Sequence, residues 1–320
     1  MQAAIATADH RLKFINLPIP ECRAQEVLIQ VKAAGINRAD LSQRQGKYPP
    51  PAGAPDTLGL ECAGIVAAVG EEVTRWRVGE RVCALLAGGG YAEFAAVDQG
   101  SVLPLPGGIS FEHAACFPEA VWTVWANVFM RAALQPGESV LIHGGTSGIG
   151  VMGIQMVRHC GASRIFTTAG TDQKTALALE LGADLAMNYR TEDFVDTVQA
   201  AGGVDVVLDM VGGDYVQKNI SIAKLNGRIC NIAYQQGFRT EVDFRPVLMK
   251  RLTLTATTLR SRSAAEKREI RDAIEKRIWP AVIGGTIRPI LDRTFPLAQA
   301  EQAHQYMSQG EHSGKIVLVV

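Results

Sequence analysis

The chain has 320 residues, of which 47% are hydrophobic and 20% are charged. This length is sufficient for two domains with sizeable apolar cores, and the composition excludes a disordered chain or a coiled coil. Thirty-two basic residues balance thirty-two acidic ones, so the net charge is zero. Without an excess of positive charge, nucleic acid is not expected as a partner.

The sequence also lacks targeting and membrane signals. No basic segment followed by a long apolar run opens the chain, and nowhere do about 18 uncharged apolar residues follow one another. Neither a signal peptide nor a membrane span is therefore expected. The six cysteines are scattered singly, without a C-x-x-C pair, which is typical of reduced thiols in a cytoplasmic protein.

The first third of the chain consists of short β-branched runs separated by glycine and proline, which predicts strands and turns in an antiparallel barrel or sandwich. The predicted strands are residues 27–33, 64–69, 81–86 and 91–97. Residues 48–55 contain four prolines, and because proline fixes φ and lacks a backbone donor, this stretch is predicted to be a stiff loop.

From residue 111 onward, segments with helical periodicity alternate with short apolar strands. Helices are predicted at 112–133, 148–160, 172–181, 192–201 and 214–225, and strands at 139–143, 164–168, 185–188, 204–209 and 228–232. Gly161, Gly182 and Gly202 follow three of these helices and are predicted to end them in the left-handed conformation. This alternation indicates a parallel sheet covered on both faces, a doubly wound α/β domain.

The C-terminal part predicts a return of the chain to its beginning. A strand at 252–258 is followed by a charged helix from 264 to 283 and by a closing strand at 315–319. Since the closing strand has few neighbours nearby in sequence, we expect it to pair with the first domain.

A glycine-rich turn joins the first strand of the α/β run to the next helix. Residues 140–150 read Val-Leu-Ile-His-Gly-Gly-Thr-Ser-Gly-Ile-Gly. Glycines let the backbone approach a pyrophosphate, and a helix N-terminus provides N–H groups and a positive dipole end for it. We therefore predict that Gly145, Ser147, Gly148 and Ile149 bind a dinucleotide; the alternative is a structural turn without a ligand.

The end of the next strand indicates which dinucleotide is bound. An NAD site usually has Asp or Glu there, about 20 residues after the glycines, whereas residues 167–171 read Thr-Thr-Ala-Gly-Thr. Gly170, the hydroxyl of Thr171 and the charge of Lys174 instead suit an additional phosphate, which favours NADPH. In the alternative interpretation, Thr171 is only a helix N-cap and Lys174 a solvated surface lysine.

Several further stretches carry a family resemblance. Besides the glycine loop they are A-G-I-N-R-A-D-L at 34–41, Q-R-Q-G-K-Y at 43–48, L-G-L-E-C-A-G at 58–64, L-R-S-R at 259–262 and G-K-I-V at 314–317. In these residues the chain resembles the medium-chain dehydrogenase/reductase superfamily. Within it, the chain is most similar to the zinc-free quinone oxidoreductases of the stress- and tumour-suppressor-inducible, NADPH-dependent type.

The resemblance implies an α/β protein with two domains. Residues 1–117 and 255–320 would form a GroES-like β-rich catalytic domain, and residues 118–254 a doubly wound parallel-sheet Rossmann domain that binds NADPH. Relatives of this type commonly form homodimers or homotetramers with paired sheet edges, so a homodimer or homotetramer is expected.

The resemblance also implies roles for individual residues. Lys174 and Tyr189, with Gly170, would hold the 2′-phosphate, whereas Asn37 and Thr123 would face the nicotinamide. The family pattern also favours a contact between the nicotinamide half and the loop that contains Arg260.

The resemblance speaks against a metal site. The zinc-dependent branch of the superfamily carries a cysteine at the position of Asn37 and a histidine at the position of Leu60. Without these ligands a tetrahedral zinc site is not expected.

The cofactor is then expected to carry the chemistry, because no Cys-His or Ser-His-Asp pattern is visible in the sequence. With no Lewis acid, the acceptor must already be electrophilic, such as a quinone or a conjugated enone. Tyr48 and Asn37 are predicted to be catalytic by donating hydrogen bonds to the developing oxyanion. Alternatively, Tyr48 packs on the neighbouring prolines. His143 is predicted to be a hydrogen-bonded core residue.

The sequence leaves three functions open. The leading one is an NADPH:quinone oxidoreductase that needs no zinc. The second is a reductase of the same fold acting on the double bond of an enone, an enal or an acyl thioester. The third, of a different class, is an NADPH-binding redox sensor or structural protein with little turnover.

Overall fold

The computed structural model describes residues 1–105 and 107–320. The chain divides into two compact units, the first comprising Met1–Trp122 and Arg260–Val320 and the second Thr123–Leu259. The boundaries proposed from the sequence, after residues 117 and 254, lie a few residues earlier. No helix in the described ranges is long and apolar enough to cross a membrane.

The N-terminal part of the first unit is rich in strands. Its elements are β1 (Gln2–Ala6), β2 (Leu12–Asn16), β3 (Glu26–Gly35), α1 (Arg38–Arg44), β4 (Glu61–Val69), β5 (Arg81–Leu85), β6 (Phe94–Asp98), β7 (Val102–Pro104), α2 (Phe111–Ala114) and α3 (Pro118–Val124), whose last two residues belong to the second unit. The four predicted strands correspond to β3–β6, whereas β1, β2 and β7 were not predicted.

The second unit is the predicted doubly wound domain. After a π-helical segment, Trp125–Arg131, it contains β8 (Ser139–His143), α4 (Gly148–His159), β9 (Arg164–Ala169), α5 (Asp172–Glu180), β10 (Leu185–Asn188), α6 (Phe194–Ala200), β11 (Val204–Asp209), α7 (Tyr215–Ile222), β12 (Ala223–Asn231), α8 (Arg245–Met249) and β13 (Thr253–Ala256). The six strands are all parallel, in the order β10-β9-β8-β11-β12-β13. This is the strand order of a dinucleotide-binding fold, in which ligands bind at the carboxyl ends of the strands.

Local sequence signals account for much of this unit. Leu141, Phe166 and Val207, from three adjacent strands, are fully buried in one core. The glycines predicted to end three helices have the positive φ angles that favour glycine: 87° at Gly161, 109° at Gly182 and 91° at Gly202. Those predictions are confirmed.

The chain then returns to the first unit as α9 (Ala264–Arg277), α10 (Trp279–Ile283), β14 (Leu291–Pro296), α11 (Ala300–Gln309) and β15 (Lys315–Val319). The sheet of this unit has the order β14-β15-β3-β4-β5-β7, and β6 also pairs with β3. Pairing is antiparallel except between β14 and β15. The return of the closing strand to the first domain is therefore confirmed.

Three predicted helices differ from the structure. The predicted helix 112–133 is interrupted before α3 because Pro118 has no backbone N–H with which to continue the helical hydrogen bonds, and after Val124 it becomes π-helical. The predicted helix 264–283 is divided into α9 and α10 at the turn that contains Pro280. The predicted helix 214–225 ends at Ile222, since Ala223 already pairs with β11.

Candidate functional site

The glycine loop of the second unit is shaped by close backbone contacts. A Cβ atom on Gly145 would lie 2.2 Å from Thr167 Oγ1, and one on Gly150 would lie 2.2 Å from the carbonyl oxygen of Gly144. No side chain fits at either position, so the backbone turns directly from β8 into α4. Ser147 caps α4, its Oγ accepting a hydrogen bond from the Gly150 N–H at 3.0 Å. Gly148 and Ile149 then form the first turn of a helix whose N-terminus suits a pyrophosphate.

A buried polar chain supports this loop from within the sheet. Asn219 donates through Nδ2 to the carboxylate of Asp209 at 3.1 Å, so its Oδ1 faces His143 Nε2 at 2.8 Å. His143 Nδ1 lies 3.0 Å from the hydroxyl of Thr168. All four side chains are buried, and burial lowers the pKa of His143. The prediction that His143 is a hydrogen-bonded core residue is confirmed.

The residues predicted to hold the 2′-phosphate lie together at the carboxyl ends of β9 and β10. A Cβ atom on Gly170 would lie 2.6 Å from the hydroxyl oxygen of Tyr189, so the phenol occupies the space that a side chain would need. Thr171 caps α5, its Oγ1 accepting a hydrogen bond from the Lys174 N–H at 3.2 Å. Asp172 follows immediately, and its carboxylate accepts a hydrogen bond from the side chain of Asn188 at 2.7 Å.

Thr123 is held in the second unit by a residue that the sequence analysis missed. Asn127 Nδ2 donates to the Thr123 carbonyl oxygen at 2.8 Å, and its Oδ1 accepts hydrogen bonds from Thr257 Oγ1 and Cys230 Sγ. Asn127 lies in the π-helical segment, a conformation that often marks functional sites. The available signal was an amide side chain within a long apolar helical run.

In the first unit, Asn37 belongs to a buried ion-pair cluster. It donates through Nδ2 to Glu61 Oε1 at 2.8 Å and accepts through Oδ1 from Lys315 Nζ at 2.6 Å. Lys315 also pairs with Glu61 at 2.6 Å and donates to the Ile36 carbonyl oxygen at 2.9 Å. The second carboxylate oxygen of Glu61 accepts from the Glu119 N–H at 2.9 Å. The amide of Asn37 is thus fixed from both sides.

Tyr48 and Arg260, which were predicted separately, lie together in the first unit. The Arg260 guanidinium carbon is 5.4 Å from the centroid of the Tyr48 ring, and Nη1 donates to the Tyr48 carbonyl oxygen at 3.4 Å. Lys267 donates through Nζ to the Arg260 carbonyl oxygen at 2.9 Å. In the described ranges, no hydrogen bond joins Tyr48 to Asn37.

Burial and nearby charges keep the acidic groups around Tyr48 protonated, so that they can donate hydrogen bonds. Burial and the nearby charge of Glu61 raise the pKa of Glu119 to about 8, so this carboxyl group is mostly protonated at neutral pH. Burial and the charge of Glu119 raise the pKa of Tyr48, which therefore keeps its phenolic hydrogen. Burial lowers the pKa of Lys267. A neutral acid, a phenol and two basic side chains together can stabilise negative charge on a bound oxygen. No pattern in the sequence singles out Glu119 or Lys267.

The described side chains were also compared with the ligand groups that bind metal ions in proteins. Within residues 1–105 and 107–320, no group of three or more histidine, cysteine, aspartate or glutamate side chains is arranged to hold a metal ion. Asn37 is committed to Glu61 and Lys315, and Leu60 is buried. The two positions that carry zinc ligands in the zinc-dependent branch therefore offer no ligand here.

Two family models match the chain. One, described as an alcohol dehydrogenase GroES-like domain, matches residues 23–107, and the other, described as a zinc-binding dehydrogenase, matches residues 181–318. The chain is also 29% identical over 311 residues to a quinone oxidoreductase of Lama guanicoe, an alignment that covers 96% of this chain and 92% of that protein.

Solved structures of similar fold include two reductases. The quinone oxidoreductase from Thermus thermophilus, solved also in complex with NADPH, is 30% identical, with a TM-score of 0.85 and full coverage of both chains. The CurK enoyl reductase is 28% identical, with a TM-score of 0.84 over 99% of this chain and 98% of that one. The similarity thus extends over both units.

Proposed function

The chain is an oxidoreductase of the medium-chain dehydrogenase/reductase superfamily, in its zinc-free quinone-oxidoreductase-like branch, and from that premise we propose that it reduces quinones with NADPH. The observation that carries the proposal is the glycine-shaped turn at the N-terminus of α4 in the second unit, which suits a dinucleotide. In the first unit, Asn37 and Leu60 stand at the positions where the zinc-dependent branch has metal ligands. Without a metal to polarise a carbonyl, the acceptor must be reactive by itself, as a quinone is.

The residues of the second unit fit a dinucleotide. Gly145 and Gly150 leave no room for a side chain, so the chain makes a tight turn from β8 into α4, as in the glycine-rich turns that bind a pyrophosphate. The N–H groups of Gly148 and Ile149, with the Ser147 hydroxyl, would bind its oxygens. NADPH, when bound, supplies a hydride, which carries both electrons of the reduction.

The preference for NADPH rests on the ends of β9 and β10. Gly170 lets the Tyr189 hydroxyl lie close to the end of β9, and Lys174 provides a positive charge one turn into α5. We propose that these residues hold the 2′-phosphate and that the Thr171 hydroxyl donates a hydrogen to it. The carboxylate of Asp172 accepts a hydrogen bond from the side chain of Asn188.

Polar side chains that are held in place by their neighbours would act at the substrate end. Asn37, fixed by Glu61 and Lys315, and Thr123, fixed by Asn127, would orient the nicotinamide. Tyr48 would donate a hydrogen bond from its phenol to the acceptor oxygen.

The decisive experiment is the rate of NADPH consumption with the purified, chelator-treated protein. An ortho-quinone and a simple enone are offered in parallel, with NADH as the cofactor control. We expect NADPH to be consumed rapidly with the quinone, whether or not a chelator is present, and NADH to be consumed much more slowly. A Lys174→Ala variant should lose the preference for NADPH. If NADPH binds but no acceptor is reduced, a redox sensor or structural protein is the better description.

A second candidate function is reduction of an enone or enal double bond. It is favoured by the similarity to the CurK enoyl reductase, because the same donors could stabilise an enolate. Consumption of NADPH with the enone but not with the quinone would select it.

We also propose that the enzyme is a cytoplasmic homodimer. All six cysteines are present as free thiols, as is usual in a reducing compartment. Strand β13 is the edge of the six-stranded sheet, and neighbouring α8 exposes Leu248 and Met249 by 76% and 70%. An unpaired edge beside exposed apolar side chains suits pairing with a second copy.

A further inference from the structure

The side chain of Arg260 is buried and rigidly oriented. Only 6% of the residue is exposed. Its Nε donates to the Ala87 carbonyl oxygen at 2.8 Å, Nη1 donates to the Tyr48 carbonyl oxygen at 3.4 Å, and the guanidinium lies over the Tyr48 ring. Two backbone contacts and an aromatic face thus fix the plane of the guanidinium.

The remaining nitrogen of this group is uncommitted. Nη2 is buried and has no hydrogen-bond acceptor among the described residues, which also provide no salt bridge to Arg260. A guanidinium carries five N–H donors and keeps its charge in proteins, so a buried nitrogen without an acceptor is costly. An oxygen of a bound molecule would relieve that cost.

The surroundings of Arg260 favour an oxygen that becomes negative. Ionised Glu119 would favour the positive charge of Arg260 and raise its pKa. Burial, however, raises the pKa of Glu119 to about 8, so Glu119 carries little negative charge at neutral pH. Lys267, also buried, is a second basic residue that contacts Arg260, through the hydrogen bond from its Nζ to the Arg260 carbonyl oxygen. A neutral carbonyl gains little from such a site, whereas an oxyanion gains much.

We propose that Arg260 is a catalytic residue whose Nη2 donates to the carbonyl oxygen of the acceptor and stabilises the negative charge that this oxygen acquires on reduction. The inference rests on the proposed function and deepens it. A hydride, two electrons with one proton, adds to the conjugated carbonyl system from NADPH, which is oxidised to NADP⁺. The acceptor oxygen becomes an anion held by Arg260 and then takes a proton from water. Arg260 is thereby assigned to the substrate rather than to the nicotinamide half of the cofactor.

The test separates substrate binding from cofactor binding. The variants are Arg260→Gln and Arg260→Lys, with Arg271→Gln as the control, because Arg271 on α9 is an equally buried arginine that pairs with Asp272. NADPH affinity is measured by fluorescence titration, and kcat/KM is measured with an ortho-quinone. We expect Arg260→Gln to lower kcat/KM by about 10²–10³-fold with NADPH affinity changed less than about twofold. The kcat/KM of Arg260→Lys should lie between those of Arg260→Gln and the wild type. The Arg271→Gln control should change neither kcat/KM nor NADPH affinity.

Two results would overturn the inference. One is a loss of NADPH affinity in Arg260→Gln that accounts for the whole loss of kcat/KM, which would make Arg260 a cofactor residue. The other is an unchanged kcat/KM for the quinone in Arg260→Gln, which would leave Arg260 a structural role only.

A second measurement needs no turnover and remains valid if the protein reduces neither quinone nor enone. The absorbance of 4-nitrophenol is titrated with pH in the presence of NADP⁺ and the protein. A phenolate beside Arg260 should form at least about one pH unit lower than free in solution. The Arg260→Gln variant should lose this shift, while the Arg271→Gln control keeps it. Equal titration curves for the wild type and Arg260→Gln would refute the assignment independently of the proposed reaction.

Discussion

Replacing Lys315 with methionine should strongly destabilise the first unit. Its ammonium group has three acceptors within 2.9 Å, namely Glu61 Oε1, Asn37 Oδ1 and the Ile36 carbonyl oxygen. The side chains of Lys315 and Glu61 are 6% and 0% exposed, so water cannot replace the lost partner. Removing one partner of a buried ion pair leaves an uncompensated charge, which costs about 3–5 kcal/mol.

A double variant distinguishes this cause from a simple loss of packing. In Glu61→Gln/Lys315→Met neither member of the ion pair carries a charge, so the double variant should be more stable than Lys315→Met alone by about 1–3 kcal/mol. Urea unfolding followed by circular dichroism, with tryptophan fluorescence as a second probe, gives these differences. A cost below about 1 kcal/mol for Lys315→Met, or a double variant less stable than the single one, would refute the reasoning.

Three further predictions concern the reaction, the cofactor and the assembly. Since ionised Glu119 would place negative charge beside the phenol and guanidinium, kcat/KM should fall as pH rises through about 8, and Glu119→Gln should remove that fall; identical pH profiles would contradict this role. Gly150→Ala should weaken NADPH binding at least about tenfold, because its Cβ would collide with the loop's own backbone. Gly107→Ala, where a Cβ meets no atom within 4 Å, is the matched control; equal affinities for the two variants would argue against a phosphate loop. Leu248→Glu should convert the proposed dimer to a monomer in analytical ultracentrifugation, and an unchanged sedimentation coefficient would contradict an interface at α8.

The amino-acid sequence by itself determined the class of fold and the place of the dinucleotide loop. Strand–helix alternation, the glycine at the end of each of three helices and the glycine turn after β8 all act through interactions within a few residues. The need for glycine at positions 161 and 150 arises from the path of the nearby backbone, so it can be predicted from the neighbouring sequence. For the same reason the sequence could indicate Gly170 and Lys174 as neighbours at one strand end.

Only the tertiary structure decided what the polar side chains of the first unit contact. Lys315 and Asn37 are 278 positions apart, and Arg260 and Tyr48 are 212 apart. In the sequence, Lys315 is merely the first residue of a predicted strand, and Glu119 is a polar residue near a helix start. Pairing of β15 with β3 brings the lysine to Asn37 and Glu61. Lys315 and Glu61 form an ion pair there. Burial and the charge of Glu61 raise the pKa of Glu119. Such properties depend on desolvation and on charges from distant segments, which no local pattern encodes.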